Sequence, residues 1–446
     1  MKKAIGKTVR NGKERRAGLR AVSLIVSFQV LAWVLFSMAT PGLVGAKTFI
    51  VDSTLDEPDK NPGDGVCMSA SGHCTLRAAI QEANALPGPD VIKLKTGLYM
   101  LTIPGRSEDG SATGDLDITE DLAIIGTGAN NTFINGGKLD RVFHIIGSIS
   151  VSFTNLTIQN GFATEGGPSG EAVGGGIFND GGALEIMGCT ISNNNASGSD
   201  TANGGGIYSS GGSLTIKRST ISNNVAEGNS FGVGGGIYAD TALTITGSTL
   251  SNNVARGNSC SQGYGDGGGI YHQVGTLTIT GSILSNNSAS GNIDAYGGGI
   301  SSGMSTGTIT KSTLADNSAL GNSALGGIGE GGGICFGLAT FTITGSTLSN
   351  NSASGIDGYG GGIWNGESTL TITGSTLSNN SVSGITAGNG GGIYNHSTTL
   401  TVQSSSRIVS NFASDGEGGI YSDNPSTVTI SHNSTVSKNI PNDKNF

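Results

Sequence analysis

Charged residues make up only 12% of this 446-residue chain and aromatics only 5%, too little for an ordinary globular interior or an ion-paired helical bundle. Proline is scarce at nine residues, and the 78 glycines follow no G-x-y triplet, so neither collagen nor proline-rich disorder fits. Cysteine occurs five times and never in a C-x-x-C pair, which removes the usual zinc-site spacing. Beyond residue 46 there is no long apolar run, so no further helix is expected to cross a bilayer. What remains is a chain of Gly, Ser, Thr and Asn, and for such a composition internal repetition is the first thing to test.

The N-terminus stands apart. Residues 1–20 carry eight Lys/Arg against the single acid Glu14, an apolar run follows from Ala21 to Ala39, and Val44-Gly45-Ala46 fits a small-residue cleavage site. We read residues 1–46 as a signal peptide, which places the chain outside the cytoplasm, secreted or on the cell surface or outer membrane. The alternative is that the run stays on as an uncleaved anchor. Residues 1–46 hold eight of the 23 bases and one of the 32 acids, so the remainder has a net charge of −16. Such a field repels a phosphate backbone, and no nucleic-acid partner is expected. In an exported chain the close pair Cys67 and Cys74 is a candidate disulfide, while Cys189, Cys260 and Cys335 stand alone.

From Gly174 onward one phrase recurs: GGGI, then a stretch such as LTITGSTLSNN, then small residues. The repeat Ile falls at 177, 207, 237, 270, 300, 334, 363, 393 and 420, at intervals of 27 to 34 residues. Helical repeats of that period need helix formers, and these segments lack them. Strands are the available element: GGGIY, then Leu243 to Thr246, then Ser248 to Asn253 within one turn. Alternation puts Leu243, Ile245 and Leu250 on one face. A lone turn cannot bury that face, but stacked turns about 4.8 Å apart can. The spacing therefore predicts an all-β, single-stranded right-handed parallel β-helix of about twelve turns, with three strands per turn and all nine Ile in one inner column.

Glycine before each Ile would release the backbone at a corner. Asn194, Asn224, Asn253, Asn287, Asn317, Asn351, Asn380, Asn411 and Asn439 form an unbroken column, expected to point inward as a hydrogen-bonded ladder. The neighbouring column breaks at Asp316, Ser410 and Lys438. Less regular turns precede the array at Asp115 to Ile118, Leu122 to Ile125, Phe143 to Ile146 and Leu156 to Ile158. The segments after each Asn pair vary in length and are expected to project as loops. The organisation expected is a signal peptide at 1–46, an N-terminal cap at 47–96, the β-helix at 97–440 and a tail at 441–446.

Two resemblances follow from these motifs. Cys74-Thr-Leu-Arg-Ala-Ala-Ile-Gln-Glu-Ala-Asn84 resembles the N-terminal motif of the CSLREA-type exported surface proteins. The GGGI phrase and the Leu250-x-x-Asn253 spacing resemble the GGAI and FxxN repeats of polymorphic outer-membrane proteins. Together the matches cover roughly residues 47 to 440, and they imply a surface-exposed β-helix. Physically, the short motif reads as a capping helix over residues 75–85, with Leu76, Ile80 and Ala83 on one face. Ala78 stands where the family has Glu, so the reciprocal bond of a capping box is lost.

Candidate site residues are few. Glu185, Asp240, Asp316 and Glu367 occupy different positions in the repeat, and His272, His396 and His432 lack an evident partner. Asp266, Asp294, Glu330 and Asp357 fall shortly before GGGI and are candidate calcium or sugar ligands; solvated loop carboxylates are the plainer reading. Tyr208, Tyr238, Tyr271, Trp364, Tyr394 and Tyr421 follow the repeat Ile, after Phe178 and broken by Ser301 and Cys335. Exposed, they are a candidate sugar-binding stripe; otherwise they fill the strand surface. A Thr-x-Thr array at Thr244/Thr246, Thr278/Thr280, Thr308/Thr310, Thr342/Thr344 and Thr371/Thr373 resembles those of ice-binding proteins, and Thr is also an ordinary strand residue.

The leading reading is a non-catalytic exported β-helix, adhesin-like or structural, that presents loops and residue columns. The alternative is a carbohydrate-active enzyme (polysaccharide lyase or hydrolase) or carbohydrate-binding protein on the same fold, with ice binding more remote. No catalytic residues and no cofactor other than calcium are expected. The partners implied are extracellular polysaccharides or surface proteins, with a membrane involved only in export or attachment.

Overall fold

Strands with one apolar edge must stack on their own copies, and the register does this turn by turn. Ile177 pairs with Ile207, Ile207 with Ile237, Ile237 with Ile270 and Ile270 with Ile300, and so on to Ile420. All nine are fully buried in one internal column. The computed structural model describes residues 45–446 apart from 107, 165, 166, 168, 169 and 424, so positions 1–44 of the expected signal peptide lie outside the described residues. Among those described, strands pair in parallel into sheets of 22, 15 and 12 strands. The result is a right-handed parallel β-helix of about eleven turns with almost no helix.

The turn has three sheets, but the strands divide among them differently from the expectation. Ile237–Ala239 and Ala242–Thr246 both lie in the first sheet, and in Ile270–Thr280 and Ile300–Thr310 the two segments merge. Thr249–Ser251 belongs to the second sheet. The residues after the Asn pair, expected to be loops, make the third sheet: Val254–Gly257 pairs with Ser288–Gly291, and Tyr264–Asp266 with Ala295–Tyr296. The reason is an alternation of small residues that the sequence reading overlooked. Ala196, Ala226, Ala255, Ala289, Ala319 and Ala353 are all buried, thin enough to let this sheet close the coil.

The corners explain the columns. Each ladder asparagine after Asn194 accepts, on Oδ1, both the backbone N–H and the side-chain amide of the asparagine one turn before; for Asn253 and Asn287 these bonds are 3.1 and 2.9 Å. The Asn253 amide also donates to the Ile221 carbonyl at 3.0 Å. The neighbouring column turns outward in left-handed backbone, with φ of 57° at Asn252 and 58° at Asp316, a conformation Asn and Asp adopt more readily than most residues. In the glycine phrase only the first residue has positive φ, as at Gly234 (63°). The glycine expected to bend beside Ile is needed instead for close approach. A second inward ladder went unread: the backbone N–H of Ser219, Ser248, Ser282 and Ser312 each reaches the next turn's serine hydroxyl at 3.1 to 3.2 Å.

The coil begins before residue 97, because Thr48–Ile50 and Asp90–Lys93 already pair as first-sheet strands. Between them the helix Leu76–Ala85 buries Leu76, Ala79, Ile80 and Ala83, and Thr75 Oγ1 caps it by accepting from Ala78 N–H at 3.1 Å. Cys67 and Cys74 form a disulfide with Cα atoms 5.0 Å apart, and Cys189, Cys260 and Cys335 are free. The C-terminal segment is no loose tail, since Ile420 bridges to Lys444.

Candidate functional site

The residue after each repeat Ile faces out of the coil. The register extends this column toward the N-terminus: Asp117 pairs with His144, His144 with Phe178, and Phe178 with Tyr208. Tyr238, Tyr271, Ser301, Cys335, Trp364, Tyr394 and Tyr421 complete it. Across the glycine corner stands a second column at the end of the third sheet, which includes Val233, Asp266, Tyr296, Glu330, Tyr359 and Asn389. The two columns touch, with Val173 packed on Phe178 and Tyr208, and the Tyr359 and Tyr394 rings 4.8 Å apart.

The aromatic rings stack on one another along the axis. Tyr208 and Tyr238 are 4.7 Å apart at 15°, Tyr238 and Tyr271 5.2 Å at 24°, and Tyr394 and Tyr421 5.2 Å at 4°. Their faces are therefore taken by neighbouring rings, and the stripe presents edges and hydroxyls instead of flat platforms. Phe178 and Tyr208 are buried, while Tyr238, Tyr271, Trp364, Tyr394 and Tyr421 are half-buried. Burial pushes the Tyr208 and Tyr271 phenols up to about 12, so they remain protonated donors; Tyr238 donates to Gln273 Oε1 at 2.7 Å.

Where Ser301 and Cys335 interrupt the rings, the facing column carries Asp266, Tyr296 and Glu330. Burial raises Asp266 to about 7, with the Ser301 hydroxyl opposing. It also raises Glu330 to about 7, helped by the charges of Asp294 and Asp266. These two half-buried carboxyls lie two turns apart, roughly 9.6 Å of rise. Asp294 and Asp357 are used locally. Asp294 accepts from Ile328 N–H at 2.7 Å and from the Tyr296 hydroxyl at 3.1 Å, and Asp357 accepts from the Thr386 hydroxyl. The four candidate calcium ligands thus do not bring three carboxylates to one point. His272 lies inside the coil, its Nε2 3.0 Å from the Thr241 carbonyl, and His396 pairs with Asp423. The Thr-x-Thr array stacks on the outer face of the first sheet for five turns.

Among the described residues, the group that does converge is Asp109, Asp117 and His144. The cap helix builds its frame. Fully buried Arg77 pairs with Asp56 at 2.6 Å and donates to the carbonyls of Ser111, Gly114 and Asp115 at 3.1, 2.8 and 3.1 Å, fixing the loop that carries Asp109 and leads into the strand of Asp117. Gln81 and Asn84 donate to the Ser111 and Asp117 carbonyls. Burial holds the Asp115 and Asp117 carboxyls well above the carboxylate range, and burial with the Arg141 charge holds His144 down to about 4. The sequence reading recognised both strands but missed these residues. Aligning Leu116 and Phe143 with the repeat Ile would have placed Asp117 beside His144.

No protein-family profile matches the chain, and no curated relative matches it in sequence. Solved structures similar to it include the Dettilon tailspike protein, at 14% identity, with 86% of this chain and 68% of the other covered and a TM-score of 0.42. The catalytic unit of a thermostable GH87 alpha-1,3-glucanase from Streptomyces thermodiastaticus is 12% identical, with 89% and 70% covered and a TM-score of 0.35. Pectate lyase Pel9A is also 12% identical, with 89% and 80% covered and a TM-score of 0.29.

Proposed function

We propose that this chain is an exported β-helix that binds an extended polysaccharide along the corner between its third and first sheets. The observation that carries the reading is the pair of facing columns, which between them place a phenol hydroxyl or a carboxyl in every turn from Tyr208 to Tyr421. A surface that repeats along an axis suits a partner that repeats along an axis, and weak contacts at successive turns add through multivalency. The Cys67–Cys74 disulfide supports export, because such bonds persist in oxidising compartments. Adhesion is the same activity where the polysaccharide coats another cell.

One observation favours a second reading. Asp266 and Glu330, both raised to about 7, stand two turns apart, about 9.6 Å of backbone rise, to set beside the roughly 6.5–9.5 Å between carboxyls of inverting glycosidases. Titrating neutral and acidic polysaccharides against the protein, with and without calcium, and assaying reducing ends in parallel tests both. Binding weakened by Tyr271→Ala and Tyr394→Ala without product release supports the binding reading. Product release abolished by Asp266→Asn or Glu330→Gln supports hydrolysis. Failure of every polysaccharide to bind would sink the proposal.

A further inference from the structure

Asp117 is fully buried, yet only one of its carboxylate oxygens is matched. Oδ2 accepts from the Ser111 N–H at 2.8 Å, while buried Oδ1 accepts no hydrogen bond. A buried polar atom without a partner is costly and calls for an explanation. Oδ1 faces His144 Nδ1 at 3.4 Å, and Asp109 Oδ1 lies 3.8 Å from the same nitrogen. The three ligand atoms all fall within 4.8 Å of one another. A spacing of about 3.4 Å is the edge of a tetrahedron whose metal–ligand bonds are about 2.1 Å.

We propose that Asp109, Asp117 and His144 form a binding site for one divalent transition-metal ion, of the zinc or manganese class, where the loop anchored by the cap helix meets the first turns of the coil. Two carboxylate oxygens and one imidazole nitrogen suit such ions, whereas calcium takes six to eight oxygens. The backbone is prepared for it. Asp117 and His144 are register partners on adjacent strands, and the His144 ring is held by stacking on Phe178 at 4.5 Å and 6°. Asp109, with its side chain 75% exposed, comes from the loop that Arg77 anchors and leaves the open coordination positions facing solvent. The ion would fasten that loop to the coil. The proposal is independent of the polysaccharide reading.

The test uses chelator-treated protein and calorimetric titration with Zn²⁺, Mn²⁺ and Ca²⁺, with Asp109→Asn and His144→Gln as variants. Asp109 is exposed, so its variant leaves the fold intact. We expect one Zn²⁺ or Mn²⁺ per chain, a loss of affinity of tenfold or more in each variant, and a metal-dependent rise in the unfolding midpoint that Asp109→Asn abolishes. No binding at millimolar metal would overturn the site, as would affinity unchanged by both substitutions. Calcium bound as tightly as zinc and manganese, and indifferent to His144→Gln, would overturn the transition-metal assignment.

Discussion

Asp443 takes the place of a tenth asparagine below Asn439. Its Oδ1 accepts the Asn439 backbone N–H at 3.0 Å and the side-chain amide at 2.9 Å, the same two bonds that each asparagine makes to the next. The ladder thus ends on an acceptor and leaves no donor bare. Asp443→Asn keeps that acceptor and should leave stability unchanged. Asn287→Ala removes it from mid-ladder, stranding two donors of Asn253 and the Leu250 carbonyl. It should cost about 1–3 kcal/mol per stranded group. Urea unfolding of the two variants checks this, and equal stability would refute the inward ladder.

The ladder was legible in the sequence because one position tolerated only Asn while its neighbour accepted Asp316, Ser410 and Lys438. Those substitutions mark a position constrained by backbone alone, and all three sit at φ between 58° and 60°. The third sheet was not legible. Its inward positions are mostly Ala and Gly, which carry little hydrophobic signal, and the order of its strands comes from closing the coil. The cap-side cluster was hidden for another reason. Asp109, Asp117 and His144 are brought together by register across turns whose glycine phrase is absent, so nothing local flagged their alignment.

Arg77 is the residue on which the cap depends. Arg77→Met would leave buried Asp56 without its cation and three carbonyls without donors. Breaking a buried pair in this way costs about 3–5 kcal/mol. The loss should be local: hydrogen exchange should quicken across residues 103–117 and the cap helix while the turns beyond 170 stay protected. Uniform deprotection would show that the cap and coil unfold as one.

Stability should fall as pH rises from about 4 to about 7. Asp266 and Glu330 have folded-state values near 7 against ordinary values of 3.8 and 4.5, so the folded state holds protons that the unfolded chain releases. Their contribution is complete below the ordinary values and lost as pH passes 7. The unfolding midpoint should therefore be lower at pH 8 than at pH 5, and Asp266→Asn with Glu330→Gln should shrink the difference. Asp115 and Asp117 are raised in the same direction and add to the fall. His144 and His272, lowered by burial, oppose it only up to their ordinary 6.5, so the four carboxyls set the net sign. A midpoint that rises toward pH 8 would contradict the burial of these carboxyls.

Two glycines in one turn should answer substitution differently. A Cβ on Gly235 would lie 2.3 Å from the Val254 carbonyl carbon and 2.5 Å from the Gly268 oxygen, both backbone atoms that cannot yield. Gly247 has positive φ (56°) but open space, its nearest neighbour being Arg218 Cγ at 3.9 Å. Gly247→Asn should therefore cost at most about 1 kcal/mol, since Asn tolerates that backbone, whereas Gly235→Ala should prevent the turn from stacking. Thermal melts of the pair decide it, and a well-folded Gly235→Ala would mean that the turns can separate.

Removing residues 238–300 joins Ile237 to Ser301 and excises two whole turns in register, since Ile237, Ile270 and Ile300 are successive partners. Solenoid stability is roughly a sum of neighbour terms, so the shortened chain should fold with its cap and C-terminal closure intact. The deletion also removes Tyr238, Tyr271, Asp266 and Tyr296 while sparing Glu330 and the Tyr394–Tyr421 stack. If binding is spread along the corner, affinity for whichever polysaccharide binds the parent should drop in proportion to the turns lost. If the stretch of Asp266, Tyr296 and Glu330 alone does the work, the folded deletion should lose binding altogether, and Asp266→Asn alone should reproduce most of that loss. Unchanged affinity would move the binding surface off this corner, toward the outer face of the first sheet.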